Sequence, residues 1–266
     1  MRSLGNSIYK ESVRDGVKDG SLMDAHSYGH KLQLHYDFSL LTGDDGDNLA
    51  TTAITNLGIG GSSYNGEIQA GSLAVSDGFT GINSLQLDGT NDYMSLTGAF
   101  TATDQNWTMF CVFHLDGTIG QDSMLAGSSG GVNRVNIYNN NNVHVRANST
   151  GSSNGAKLIA TNNTNNSSTS YQWNNDPDIL VVRQDSDKSL YTYSGSAAAS
   201  TAWYVGKSTA YSAASNTNIK IQHVGAHADE ANDFQGWIGE IGVYDQDIGE
   251  QSVKDLIHAL KMKWQI

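Results

Sequence analysis

The chain has 266 residues, with 15 Lys and Arg against 27 Asp and Glu, a formal net charge of −12. Nucleic-acid affinity comes mainly from clustered cationic side chains, so this balance argues against a nucleic-acid partner. No run approaches the ~18 apolar residues of a membrane helix, and the N-terminus lacks the apolar stretch of a signal peptide. We therefore expect no membrane insertion, and we expect synthesis in the cytoplasm without a signal peptide.

Residues 1–30 differ in pattern from the rest of the chain. Their apolar residues, among them Ile8, Tyr9, Val13 and Val17, are scattered between charged side chains and form at best a weak amphipathic turn or two. A disordered tail is the plainer interpretation, because polar termini are usually loose unless something holds them. The alternative is a docking or assembly arm, which we adopt as our prediction.

From residue 31 apolar and polar residues alternate, as they do in β-strands. Leu32, Leu34 and Tyr36 alternate with polar residues, as in a strand buried on one face. Residues 84–98, SLQLDGTNDYMSLTG, read as two short strands joined by a tight turn, in which Asp88 and Asn91 bond nearby backbone and Gly89 takes a positive φ. This pattern predicts a hairpin.

Later segments predict a central strand, a hairpin, a last strand and a helix. WTMFCVFHL, residues 107–115, is apolar on both faces and therefore belongs in the middle of a sheet, with Cys111 as a buried thiol. Residues 176–195 predict a hairpin, because two apolar runs flank a polar turn. Residues 236–244 predict a last strand, and residues 250–261 a short amphipathic helix.

Several of these segments carry a family resemblance. The pieces at residues 32–39, 55–68 and 85–93 match in order the opening strands and loop of laminin G-like domains found in phage particle proteins. The closing stretch FQGWIGEIGVYDQDIG, with the helix that ends in KMKW, resembles their terminal strand and helix. Two departures are Phe38, where a small residue is common, and the missing tryptophan of the second piece. The chain thus resembles the laminin G-like branch of the concanavalin A-like lectin/glucanase superfamily over residues 32–266.

The resemblance implies an all-β fold. We expect a two-sheet antiparallel jelly-roll sandwich, concanavalin A-like, over residues 31–266, preceded by the N-terminal arm of residues 1–30 and closed by a short C-terminal helix.

Three carboxylates near the C-terminus test the hypothesis of catalysis. Asp245, Asp247 and Glu250 form DxDxxE, similar to the ExDxxE signature of retaining β-glucanases on this superfold. Glycoside hydrolysis needs two carboxylates about 5 to 5.5 Å apart on a strand face, whereas these residues follow the predicted strand. Asp247 and Glu250 fit a helix capping box instead, with Asp247 as the N-cap. We therefore expect no enzymatic activity.

Metal sites have weak support in the sequence. The acidic loop with Asp229 and Asp233 is our candidate Ca²⁺ site, since Ca²⁺ prefers oxygen ligands, although an acidic loop on an acidic protein is usually only a solvated turn. His223 and His227 lie about 13 Å apart if both are in one strand, too far to share zinc. We expect no other cofactor.

Aromatic residues near polar loops provide candidates for glycan binding. Tyr138, Tyr171, Trp173 and Tyr211 could form a platform on which sugar rings stack, although such residues more often cover a core.

The functional prediction follows from these features together. We predict a non-enzymatic virion structural protein of a phage, a capsid decoration or fibre-like surface protein whose arm docks on capsid or tail proteins and whose loops bind host-surface glycans weakly. The alternatives are a tail-associated protein or a cellular carbohydrate-binding, lectin-like module, and after these a glycan hydrolase. Homo-oligomerisation stays open.

Overall fold

The computed structural model describes residues 32–75, 77–103, 106–116, 121–126, 134–138, 142–146, 156–159, 176–187, 190–194, 204–208, 218–226 and 233–266. The predicted arm, with Ile8, Tyr9, Val13 and Val17, lies outside these ranges and stays a prediction.

Sixteen strands and one α-helix are present in the described ranges. The elements are β1 Leu32–Asp37, β2 Ala53–Ile54, β3 Gly66–Ala70, β4 Ser72–Ala74, β5 Ser84–Asp88, β6 Tyr93–Thr101, β7 Trp107–Leu115, β8 Gln121–Ala126, β9 Arg134–Tyr138, β10 Asn142–Arg146, β11 Ala156–Ile159, β12 Asp178–Gln184, β13 Leu190–Ser194, β14 Tyr204–Ser208, β15 Lys220–Val224, β16 Gln235–Tyr244 and α1 Gly249–Trp264.

The strands form two antiparallel sheets. One sheet, which we call the back sheet, has the order β14-β13-β12-β7-β16-β5-β4, with β1 paired to β16. The other, the front sheet, has the order β11-β10-β9-β8-β15-β6-β3-β2. The expected all-β, two-sheet antiparallel architecture is therefore confirmed.

The main core lies between the sheets, and the central strand β7 shows how the sequence builds it. Met109, Cys111 and Phe113 join the apolar cluster shared with the front sheet, whereas Phe110 and Val112 point to the other side of the back sheet. β7 pairs with β12 on one edge and β16 on the other. The prediction of a central strand buried on both faces is confirmed, as is the β12–β13 hairpin.

Helix α1 covers the outward side of the back sheet. It is longer than the predicted span of 250–261, and its apolar stripe packs in a second cluster with Phe110 and Val112. The ring of Trp264 lies so close to Gly239 on β16 that a Cβ there would meet it at 2.7 Å. Among the described residues, no helix is both long and apolar enough to cross a bilayer.

The start of α1 corrects one prediction. The N-cap is Ile248, without a side-chain capping bond, so the predicted capping box of Asp247 and Glu250 is wrong. Asp247 instead accepts a hydrogen bond from Arg183 Nη1 on β12 at 2.8 Å and another from the Gly249 amide at 2.9 Å. Glu250 pairs with Lys254 one helical turn later, at 2.6 Å. The buried guanidinium of Arg183 thus holds the Asp247 carboxylate against the sheet.

The segment at residues 84–98 corrects another prediction, that of a hairpin. Its two strands and turn are present, and Gly89 has the expected positive φ of 78°. However, β5 pairs with β4 and β16 in the back sheet, while β6 pairs with β3 and β15 in the front sheet. The segment is therefore a crossing between the sheets and not a hairpin, because the apolar residues of both strands enter one core from opposite sides.

A buried charged network ties the end of α1 to the back sheet. Lys263 Nζ lies 2.6 Å from both Asp37 Oδ2 on β1 and Glu240 Oε2 on β16. Glu240, 1% exposed, also accepts hydrogen bonds from Trp264 Nε1 at 2.9 Å and His35 Nε2 at 2.7 Å. Burial alone would raise the pKa of Glu240, but the charge of Lys263 and the bond from His35 outweigh it and lower this pKa to about 2.

Candidate glycan-binding face

The outward face of the front sheet is the surface on which a site can be built. The equivalent face of the back sheet packs against α1. In the front sheet, the inward positions are apolar, for example Met94 and Leu96 on β6 and Val135 and Ile137 on β9. Because side chains alternate along a strand, the residues between them face away from the core.

Polar and aromatic residues of three neighbouring strands meet at one end of this face, which we call the aromatic end. It consists of Glu67 and Gln69 on β3, Tyr93 and Ser95 on β6, and His223 on β15. Ser95 pairs with Glu67 on one side and with His223 on the other. The rings of Tyr93 and His223, both half-buried, are 5.3 Å apart in an edge-to-face arrangement.

Hydrogen bonds order the polar side chains beside these rings. Gln69 Nε2 donates to Ser95 Oγ at 2.8 Å and to Glu67 Oε1 at 3.2 Å, and Glu67 and Gln69 are exposed. A Tyr ring offers a flat apolar face, while hydroxyl, amide and carboxylate groups donate to and accept from sugar hydroxyls. The aromatic end therefore combines both contacts that a sugar ring requires.

The turn before Tyr93 holds a carboxylate with a shifted pKa. Asp92 Oδ2 accepts the backbone hydrogen bond of Asp88 at 2.9 Å. Burial raises the pKa of Asp92, against the effect of this hydrogen bond. Asp92 thus fixes the turn at the start of β6, and with it the position of Tyr93.

The pairing register continues the polar row across the sheet. His223 pairs with Ala126 on β8, Ala126 with Arg134 on β9, and Arg134 with Arg146 on β10. A second row joins Ser123, Asn136, His144 and Lys157 on strands β8 to β11. On β9 these outward positions are buried, since Arg134 is 8% exposed and Asn136 is fully buried.

Of the four predicted platform residues, Tyr138 falls within the described strands. It is two residues after Asn136 on β9 and pairs with Gln121 and Asn142, so its register position is on the outward side. Tyr171, Trp173 and Tyr211 lie outside the described residues and stay predictions.

The candidate metal residues are only partly described. Asp233 is 5% exposed and directly precedes the segment in which the Phe234 amide donates to the Gly225 carbonyl at 2.7 Å. Asp229 and His227 lie outside the described ranges. Within those ranges, no three His, Cys, Asp or Glu side chains are grouped as a metal site would require.

The three carboxylates of DxDxxE have separate structural partners. Asp245 accepts hydrogen bonds from the Thr103 amide at 2.8 Å and from its hydroxyl at 2.5 Å. Asp247 pairs with Arg183, and Glu250 pairs with Lys254, whose hydrogen bond and charge lower the pKa of Glu250. They follow β16 at the start of α1, the helix that packs on the back sheet.

The sequence alone does not predict the aromatic end, because its local pattern places Tyr93 in a hairpin and offers His223 only as a zinc ligand. The alternation of Tyr93 and Ser95 with buried Met94 and Leu96 was visible, but the pairing of β6 with β15 joins residues 128 positions apart (223 − 95). Such long-range pairing has no local signal.

No protein-family model matches the chain, and no curated protein sequence matches it. Solved structures do share its fold. Domain 4 of AbnA, a GH43 extracellular arabinanase from Geobacillus stearothermophilus, in complex with arabinotriose, matches with TM-score 0.54 and 15% identity, over 85% of this chain and 98% of that chain.

Two further matches are to longer proteins. The botulinum neurotoxin serotype D binding domain matches with TM-score 0.54 and 12% identity, over 86% of this chain and 51% of that chain. A mutant of HCR/D matches with TM-score 0.56 and 11% identity, over 88% of this chain and 55% of that chain. The chain spans about half the length of these two proteins. At such identities the likeness establishes the all-β sandwich fold alone.

Proposed function

We propose that the chain is a non-catalytic glycan-binding module and that it binds sugar on the outward face of the front sheet. The observation that carries this proposal is the aromatic end, where the half-buried ring of Tyr93 lies against His223 and beside the hydrogen-bonded pair Gln69 and Ser95. An apolar ring face next to a few ordered polar groups is the usual composition of a small-ligand site.

The arabinanase domain supports the proposal by analogy. It has the same fold over 98% of its length and was solved with arabinotriose. A sandwich of this size can therefore present a glycan site, although a shared fold does not fix the position of the site or its ligand.

Truncation of Tyr93 tests the proposed site. A glycan array, followed by calorimetry with arabinotriose, laminaritriose and any stronger ligand found, first establishes binding by the full chain. Tyr93→Ala should then weaken affinity about fivefold or more, because removing an aromatic anchor of an interface costs more than about 1 kcal/mol.

Thr101→Ala is the matched control, since Thr101 is an exposed residue on the same strand, at its far end. It should bind like the unmodified chain. If Tyr93→Ala binds equally well, or if the unmodified chain binds none of the glycans, the proposed function is wrong.

The non-catalytic part of the proposal rests on the structural roles of Asp245, Asp247 and Glu250, each engaged with a separate partner. We expect no release of reducing sugar from β-glucan, alginate or bacterial surface polysaccharide. Release that is abolished by Glu250→Gln would overturn this part and favour a hydrolase.

The biological setting that we propose is the surface of a phage particle, as a capsid decoration or, second, as a tail component. Its support comes from the sequence: the opening strand and loop resemble phage particle proteins, and a net charge of −12 suits a displayed, soluble domain that does not attract packaged DNA. A cellular lectin-like module is the alternative setting.

Deletion of residues 1–30 tests this setting. The described sandwich begins at Leu32, so the truncated chain should keep its β-type circular dichroism and its melting temperature. It should no longer associate with purified particles, because the arm would supply the docking contacts. Full occupancy of particles by the truncated chain, or absence of the protein from purified virions, would contradict the proposal.

A further inference from the structure

The buried network at the end of α1 brings one amine into contact with two carboxylates. Lys263 Nζ lies 2.6 Å from Asp37 Oδ2 and 2.6 Å from Glu240 Oε2. The side chains of both carboxylates are 1% exposed, and that of Lys263 is 9% exposed. Lys263 and Asp37 are 226 residues apart in sequence, so the contact joins the last helix to the first strand. An amine and a carboxylate that are held together away from bulk water are the reactants of amide formation.

We propose that Lys263 and Asp37 condense to an intramolecular amide bond, with Glu240 as the base of this step. The inference goes beyond the proposed function, since it concerns the back sheet and needs no ligand. The bond between Lys263 Nζ and Asp37 Cγ forms, the Cγ–Oδ2 bond of Asp37 breaks, and Oδ2 leaves as water. Condensation changes no oxidation state, so the step requires no oxidant, reductant or other co-reactant.

The short hydrogen bonds give the protons a path. The Lys263 ammonium first transfers a proton to Asp37 Oδ2, which converts the ion pair into a neutral amine and a carboxylic acid. The amine then attacks Asp37 Cγ, and its nitrogen becomes positively charged. The ionised Glu240 accepts a proton from this nitrogen and delivers it to the Oδ2 hydroxyl, which departs as water. Glu240 ends the step in its starting form.

The hydrogen-bond partners of the two carboxylates assign their roles. Asp37 Oδ1 accepts hydrogen bonds from the Ser39 amide at 3.1 Å and from the Ser39 hydroxyl at 2.6 Å. Negative charge develops on Oδ1 when an amine attacks Cγ, and donors already in place stabilise it. Glu240 is held by His35 Nε2 at 2.7 Å and Trp264 Nε1 at 2.9 Å, which orient it as an ionised base. Asp37 is therefore the electrophile.

The ionisation of the network sets the expected rate. Burial lowers the pKa of Lys263, but the charges of Glu240 and Asp37 outweigh it and raise this pKa. The neutral amine is therefore a minor form, and the step is slow. Fixed contact between amine and acid compensates, because it replaces a bimolecular encounter by a reaction within one fold. Freshly folded protein should hold the ion pair, and the amide bond should accumulate during incubation.

Intact-mass spectrometry of the full-length chain, recorded under denaturing conditions at intervals during incubation, tests the bond. The mass should fall below that of the sequence by the mass of one water molecule. A tryptic peptide map should then contain the peptide of Asp37 joined to that of Lys263. Succinimide formation at an Asp–Gly pair such as Asp88–Gly89 also loses one water, so the map decides between the two reactions.

Three variants assign the roles in the step. Lys263→Arg keeps the positive charge but has no amine, so it should keep the full mass. Glu240→Gln keeps both reactants and removes the base, which should slow the loss of water about a hundredfold or more. Lys254→Arg is the matched control, because Lys254 also lies 2.6 Å from a carboxylate but in solvent; it should lose water at the unmodified rate. Circular dichroism and melting temperatures check that each variant folds.

Loss of one water that maps to Lys263 and Asp37, and that is absent from Lys263→Arg, supports the inference. A folded chain that keeps its full mass after prolonged incubation overturns it, as does water loss that maps to another site. An equal rate in folded Glu240→Gln overturns the role of Glu240 as base. If Glu240→Gln does not fold, the mass and the map of the unmodified chain still decide whether the bond forms. Glycan binding is tested separately, by Tyr93→Ala.

Discussion

Replacing Lys263 with Met should lower the free energy of unfolding by about 3 to 5 kcal/mol, the range seen when one partner of a buried ion pair is removed. Lys263 Nζ lies between Asp37 and Glu240, at 2.6 Å from each, and its side chain is 9% exposed. The variant keeps both carboxylates in place without their cation. Urea unfolding followed by tryptophan fluorescence measures the loss.

Lys254→Met is the matched control, because Lys254 also pairs with a carboxylate on α1 but in solvent. Exposed helix pairs contribute only about 0.3 to 0.5 kcal/mol, so this variant should remain near the unmodified chain. Equal effects of the two substitutions would show that the buried network contributes no more than a surface pair.

The pH dependence of unfolding gives this prediction a second readout. The pKa of Glu240 is lowered from 4.5 to about 2, so its contribution is fully present above pH 4.5 and is lost as the pH falls through about 2. In Lys263→Met the main attraction that lowers this pKa is gone, and Glu240 should become protonated at a higher pH. The difference in stability between the two proteins should therefore be smaller at pH 3 than at pH 7.

Local patterns were sufficient to predict several of the buried strands. The both-sided apolar run of residues 107–115 required the centre of a sheet, and β7 occupies it. The apolar pairs flanking the polar turn at residues 176–195 required a hairpin, and β12 and β13 form it. In both cases the hydrophobic period along one segment determines its environment, without reference to distant residues.

Pairing between distant segments could not be predicted in this way. The turn at residues 89–92 has the composition of a hairpin turn, yet β5 and β6 pair with β16 and β15, more than a hundred residues later. Competition between a local partner and a distant one depends on which arrangement buries more apolar area, and a single segment does not contain that information. For the same reason the sequence did not bring Tyr93 together with His223.

The capping prediction failed through a tertiary contact. Asp247 and Glu250 have the spacing of a capping box, and local propensity alone favours it. Arg183 on β12, 8% exposed, requires a carboxylate partner, and a buried cation without one would cost more than a helix cap contributes. Asp247 therefore pairs with Arg183 on the sheet, and the N-cap residue Ile248 makes no side-chain capping hydrogen bond.

Gly236→Ala should be the most damaging small substitution in β16 and should lower the free energy of unfolding by about 3 kcal/mol or more. Gly236 has φ of 140°, which L-residues rarely adopt, and backbone strain of this kind costs about 1 to 3 kcal/mol. In addition, a Cβ at this position would collide with the carbonyl oxygen of His114 and lie 3.0 Å from Leu115 Cα. Both are backbone atoms of the central strand β7, so rotation of a side chain cannot relieve the contact.

Gly46→Ala separates these two causes, because Gly46 also has positive φ, 82°, but a Cβ there would have no neighbour within 4 Å. Its cost should be the conformational one alone, about 1 to 2 kcal/mol. Chemical denaturation of both variants measures the difference, which reports the steric part. If Gly236→Ala costs no more than Gly46→Ala, then β16 can move away from β7 at this point, and the close pairing of Gly236 with Leu115 does not limit the stability of the back sheet.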